Sequence, residues 1–129
     1  FYSDNNSCMR RCVWEKIPYP EISFGEDQAW AWQVIEAGYG KVYGRDAVVY
    51  HSHNFLPEEI FSRSLEEASF FQKTFGYELV NKDNIYEQIK LLNEHDSQWG
   101  REKNLDEKVI IMRQKNNEAR IHGYMAALK

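Results

Sequence analysis

The chain has 129 residues, with 20 acidic against 16 basic side chains and a net charge of −4. That length holds one modest core, and the acidic balance argues against a nucleic-acid partner gripped by broad phosphate neutralisation. No apolar run reaches the roughly 20 residues that span a bilayer, and the first residues carry no signal-peptide pattern.

The chain opens on Phe1 in what reads as structured sequence, so a larger parent protein with an upstream segment is expected. Cys8 and Cys12 form a C-x-x-x-C pair, too few for a disulfide scaffold and spaced unlike a redox motif or zinc knuckle. They read as small, semi-buried thiols of a reducing compartment. The aromatic share of 15% exceeds what a small core strictly needs and hints at a lined groove.

In chain order, an extended or looped opening leads into a short helix over residues 9–16, which Pro18 and Pro20 end. A second helix is expected over 25–37, with Ser23 and Glu26 as a capping box and Gly38 as its stop. "YGKVYG" and "AVVYHSH" then read as two short strands around a polar turn at Arg45-Asp46. Pro57 suits a first helical position, followed by Glu58 and Glu59. Phe61, Leu65, Ala68, Phe71 and Phe75 repeat at helical steps to about Gly76. Another helix is expected over 82–94, marked by Ile85, Ile89 and Leu92. A long last helix from Leu105 carries Val109, Met112, Ile121, Met125 and Leu128 near its apolar face. The character changes near Phe55, dividing a mixed segment, 1–55, from a helical extension, 56–129.

Asp27 is the residue that helix electrostatics alone does not explain. On a wheel of about 100° per residue, Ala31 and Val34 fall within about 40° of it and Trp30 about 60° away. A carboxylate on an apolar stripe needs a partner, a hydrogen bond or a crevice. It could cap backbone N–H groups, pair with Arg10, Arg11 or Arg45, or stand at a cleft as a general base. Further on, strand alternation puts His51 and His53 on one face, where both could approach a divalent cation. A solvated strand end with two incidental histidines fits the same spacing.

The run "SDNNSCMRRCVWEKIPYPE…GEDQAWAWQVIEAGYGKVYGRDAVVYHSHN" resembles the C-terminal half of the catalytic domain in inverting family-two glycosyltransferases of the GT-A fold. Bacterial rhamnosyltransferase-like enzymes of cell-surface polysaccharide synthesis are the nearest subgroup. The resemblance covers residues 1–55 and rests on an ordered set of individually weak motifs. It implies an α/β fold: the C-terminal portion of a nucleotide-diphospho-sugar transferase domain, with short strands and a helix-rich extension. It implies Asp27 as the general base on the acceptor hydroxyl and Glu26 as its neighbour. His51, with His53 as a second candidate, matches the histidine of a divalent-metal site for manganese or magnesium. Asn5, Asn6, Glu26 and Trp30 are carried over as substrate-binding residues of the sugar or acceptor pocket, with packing of the helix against the sheet as the alternative role of Trp30.

The family's Asp-x-Asp motif and Gly-rich phosphate loop have no counterpart here. Most metal ligands and the donor pocket are therefore expected outside this chain, and the isolated chain is expected to be inactive. The implied partners are a nucleotide-diphosphate sugar and a saccharide or lipid-linked acceptor, with no nucleic acid. Location in the cytoplasm, at the inner membrane face, follows from the resemblance. Peripheral membrane contact and self-association are further expectations for the helical extension. Two competing readings are a Cys8/Cys12/His51/His53 zinc module and a non-catalytic helical interaction domain.

Overall fold

A computed structural model describes residues 2–128, which divide into two units, Phe1–His53 and Asn54–Lys129. In the first, a 3-10 turn, Asp4–Asn6, is followed by the short helix α1, Arg11–Trp14, and by α2, Glu26–Glu36. In the second, α3, Pro57–Phe75, precedes another 3-10 turn, Lys82–Asn84, then α4, Ile85–Glu102, and α5, Glu107–Ala126.

The core of the first unit is Val13 from α1 with Trp30, Ala31 and Val34 from α2. Tyr2, Met9, Ile17, Tyr19 and Tyr39 pack around it. Trp30 is 4% exposed, and its indole N–H donates to the Ile17 carbonyl. Bulky rings thus close a core that four buried side chains could not close alone, which accounts for part of the aromatic excess.

The start of α2 differs from the expected capping box. Its N-cap is Gly25, in left-handed conformation at φ 75°, with no side-chain cap. Glu26 is therefore the first helical residue and not the third, and Ser23 lies too far upstream to cap. The far end matches expectation: Gly38 turns left-handed, its N–H donates to the Ile35 carbonyl, and Tyr39 N–H donates to Val34.

The expected α/β class is overturned. Among the described residues there is no strand, and both "YGKVYG" and "AVVYHSH" are irregular. The turn at Arg45-Asp46 is present, with Ala47 N–H donating to Gly44 and Val48 N–H to Asp46. The physical reason is the missing ladder. β-branched and aromatic residues favour a strand only where a neighbour pairs its backbone and covers a face. Here Val42, Tyr43, Val48 and Tyr50 are all more than three-quarters exposed.

In the second unit α5 packs on both α3 and α4. A Cβ on Gly123 would come within 2.5 Å of the Phe61 carbonyl oxygen and 2.8 Å of Ser64 Cβ, so this glycine sets the close approach of α5 to α3. Apolar closure comes from Val80, Ile85, Ile121 and Leu128. The α4–α5 seam is polar: buried Asp96 accepts from Arg113 at 2.8 Å and Asn117 at 3.1 Å, and Gln114 donates to Ser97 at 2.9 Å. Val109, Met112 and Met125, expected on the apolar face of α5, are each more than two-fifths exposed. No helix among the described residues is long and apolar enough to cross a membrane.

Candidate functional site

The N-terminal turn is tied to the start of α2. Ser3 Oγ accepts from the backbone N–H and the side-chain amide of Asn5, which caps the turn Asp4–Asn6. Tyr2 N–H donates to Gln28 Oε1 at 3.1 Å, and the Tyr2 ring tilts against Trp30 at 5.7 Å between centroids. From the other side Tyr19 stacks on Trp30 at 5.2 Å, and its hydroxyl is buried without a hydrogen bond.

Asp27 lies at this junction. It is half-buried, and its Oδ1 accepts from the Gln28 N–H at 2.7 Å. Burial pushes its carboxyl above the ordinary value of 3.8. The backbone N–H groups of Gln28 and Asp4 work against that rise, while the charges of Asp4 and Glu26 add to it. Among the described residues no cation pairs with Asp27, and Arg11 is held by Glu15 at 2.8 Å. Burial, with Tyr2, Asp4 and Asp27 nearby, also pushes the Tyr19 phenol up.

The other residues singled out by sequence are placed as follows. Glu26 is exposed beside Asp27. Trp30 is buried in the core and presents its ring to Tyr2 and Tyr19. Asn5 is engaged by Ser3, and the Asn6 amide donates to the Ala47 carbonyl at 2.7 Å, tying the N-terminal turn to the irregular segment. His51 and His53 are exposed and bring their Nε2 atoms within 2.8 Å, rings edge-on. One imidazole then donates to the other, which fixes opposite tautomers at the two Nε2 atoms.

No three His, Cys, Asp or Glu side chains gather into a metal-binding group among the described residues. Cys8, Cys12, His51 and His53 therefore do not form a four-ligand zinc site. Both cysteines are exposed, not semi-buried. A cavity of about 390 Å³ lies in the second unit, lined by Lys90, Asn93, Glu94, Ser97, Arg101 and Gln114, and holds none of the sequence-predicted site residues.

Sequence reasoning missed Asp4, Tyr19 and Gln28. Asp4 had a legible signal, since Ser3 two residues before Asn5 is a side-chain-capped turn pattern. Tyr19 had none, because its flanking prolines read only as a helix stop.

Two curated proteins are similar to the chain over 84 residues. The O-antigen chain rhamnosyltransferase RfbN of Salmonella typhimurium is 37% identical across 59% of this chain and 27% of its own length. The O-antigen chain rhamnosyltransferase WbaN of Salmonella anatum is 34% identical with the same coverage. The homology is distant and partial: the matched part is about a quarter of the length of these relatives. No family model matches the chain, and no solved structure matches it.

Proposed function

We propose that the chain is the acceptor-side portion of a rhamnosyltransferase-like enzyme of cell-surface polysaccharide synthesis, with Asp27 as general base. The observation that carries this reading is Asp27 itself: a half-buried carboxylate that no cation pairs with among the described residues, accepting from the Gln28 N–H at 2.7 Å, with its ionisation pushed upward. A carboxylate raised above its ordinary value takes a proton more readily than a free aspartate. Partial homology to two O-antigen rhamnosyltransferases supports the substrate class.

The donor is a nucleotide-diphosphate sugar, with rhamnose as the first choice, and the acceptor is a saccharide or lipid-linked hydroxyl. Asp27 takes the hydroxyl proton as the acceptor oxygen attacks the anomeric carbon. The nucleoside diphosphate leaves from the opposite face with the bonding electron pair, so configuration inverts. In this reading Glu26 and the amides of Asn5 and Asn6 contribute to the sugar or acceptor pocket. Trp30 holds the aromatic wall in place through its buried indole. The reaction takes place in the cytoplasm, at the inner membrane face.

His51 and His53 suit part of a divalent-cation site. The two imidazoles lie close enough that both could turn toward one divalent cation, and imidazole is more compatible with manganese than with hard magnesium. The remaining ligands would come from beyond this chain. When bound, the cation offsets negative charge on the diphosphate leaving group.

The test is sugar transfer by the full-length parent protein with manganese and a panel of nucleotide sugars, wild type against Asp27→Asn. Transfer is expected to fall about 10²–10⁴-fold in the variant, with donor binding and melting temperature nearly unchanged. Full activity in Asp27→Asn would remove the base role. A wild type that transfers no sugar from any donor would overturn the function.

A further inference from the structure

The polar seam between α4 and α5 borders the cavity of about 390 Å³, a volume within the range of small-molecule sites, about 300–1,000 Å³. Lys90, Glu94, Ser97 and Arg101 follow one another on α4 at steps of four, three and four, and form one stripe about 16 Å long. Asn93 lies beside that stripe, and Gln114 joins it from α5. All of these side chains are polar, so an apolar ligand gains nothing here.

Hydrogen bonds inside the seam decide which polar atoms the lining has left. The Ser97 hydroxyl is engaged, donating to the Asn93 backbone carbonyl at 2.6 Å and accepting from the Gln114 amide at 2.9 Å. Asn93 turns its Oδ1 to buried Asn117 at 3.2 Å, which leaves its own amide N–H donors without a protein partner among the described residues. Gln114 uses its amide nitrogen on Ser97, which leaves its Oε1 as an acceptor. Lys90 and Glu94 share a loose ion pair at 3.7 Å. Arg101 has no ion pair among the described residues and brings a planar fork of donors. Its place in the last turn of α4 suits the helix dipole, but that interaction leaves the guanidinium donors open.

This set does not match a bare anion, because Glu94 and the Gln114 carbonyl call for donors. A ligand that replaces water on all of it carries an anionic group at one end. Along the rest it carries hydroxyls, which both donate and accept. We propose that this cavity binds an anionic sugar, its phosphate or carboxylate held by Arg101 and its hydroxyls by Asn93, Glu94 and Gln114. Phosphate and carboxylate both match the guanidinium fork. The anion sits at Arg101 and not at Lys90, because Glu94 already offsets the Lys90 charge. The inference goes beyond the role of Asp27. The cavity lies wholly within the second unit and binds sugar whether or not Asp27 is a base.

The test follows the backbone amides of the chain by NMR as glucosyl phosphate, glucuronate, glucose or inorganic phosphate is added. Saturable shifts at Asn93, Glu94, Ser97 and Gln114 are expected with an anionic sugar, and the tighter of the two identifies the anion. Glucose and inorganic phosphate should each bind at least about tenfold more weakly. Arg101 is exposed, so Arg101→Gln should keep the wild-type melting temperature while weakening the anionic sugar at least about tenfold. Lys90→Gln should cost about threefold or less. No saturable shift with either anionic sugar overturns the proposal. So does glucose or inorganic phosphate binding as tightly as they do, wild-type affinity in Arg101→Gln, or a larger loss in Lys90→Gln than in Arg101→Gln.

Discussion

Two helices of this protein each carry an aspartate that is largely hidden from water, and the two are treated in opposite ways. Asp96, on α4, is buried in the seam with α5 and meets Arg113 at 2.8 Å and Asn117 at 3.1 Å. Burial alone would raise its carboxyl, but these donors and the Arg113 charge outweigh it and hold the group below its ordinary value. Asp27, on α2, has burial with no paired cation among the described residues, two like charges nearby, and a carboxyl above its ordinary value. A carboxylate supplied with partners joins two helices. A carboxylate left short of them keeps an unspent affinity for a proton, and that is the property a base requires.

The comparison can be broken first at activity. Transfer should fall by about 10²–10⁴ in Asp27→Asn, whereas Asp96→Asn should leave the rate of the folded protein unchanged. Equal losses at both positions would mean that neither is specifically catalytic. It can be sharpened next at stability, where the order reverses. Arg113→Ala takes the guanidinium from Asp96 and from the Trp99 ring it lies over at 4.8 Å. Arg113 is 43% exposed, so solvent screens part of the loss. The variant should cost about 1–3 kcal/mol in urea unfolding. Asp27→Asn, which breaks no ion pair, should fall within about 1 kcal/mol of wild type.

These two aspartates also mark what the sequence made legible. Asp27 was visible because one helix wheel contains the whole signal: an acid on the same stripe as Ala31 and Val34, both buried. Helix existence was similarly local. Pro57 opens α3, Gly76 closes it at φ 76°, and the wheel of α2 faces the core as expected. Asp96 was invisible because its partners Arg113 and Asn117 lie 17 and 21 residues away, across a turn between helices. The same blindness produced the failed strands. "VVYHSH" has the alternation of a strand, but pairing is a property of two segments, and a pattern in one cannot supply the other. The expected capping box failed by register. Glu26 is first in the helix instead of third, because Gly25 adopts a left-handed conformation just before it.

The subtlest difference between the two aspartates lies in acid, where their contributions have opposite signs. Asp96 is lowered in the folded protein, so its stabilisation is complete above the ordinary value of 3.8 and is lost as pH falls from there through the folded value. Asp27 is raised, so the folded protein binds its proton before the unfolded chain does. Its contribution therefore improves as pH falls through the folded value toward 3.8, and the benefit is lost again as pH rises. Urea unfolding from pH 6 to pH 3 should show this as a gain followed by a loss on acidification. Asp27→Asn should remove the gain and keep the loss, whereas Asp96→Asn should keep the gain and blunt the loss. If Asp27→Asn leaves the upper part of the curve unaltered, Asp27 is not raised, and its contrast with Asp96 reduces to a difference in hydrogen bonds.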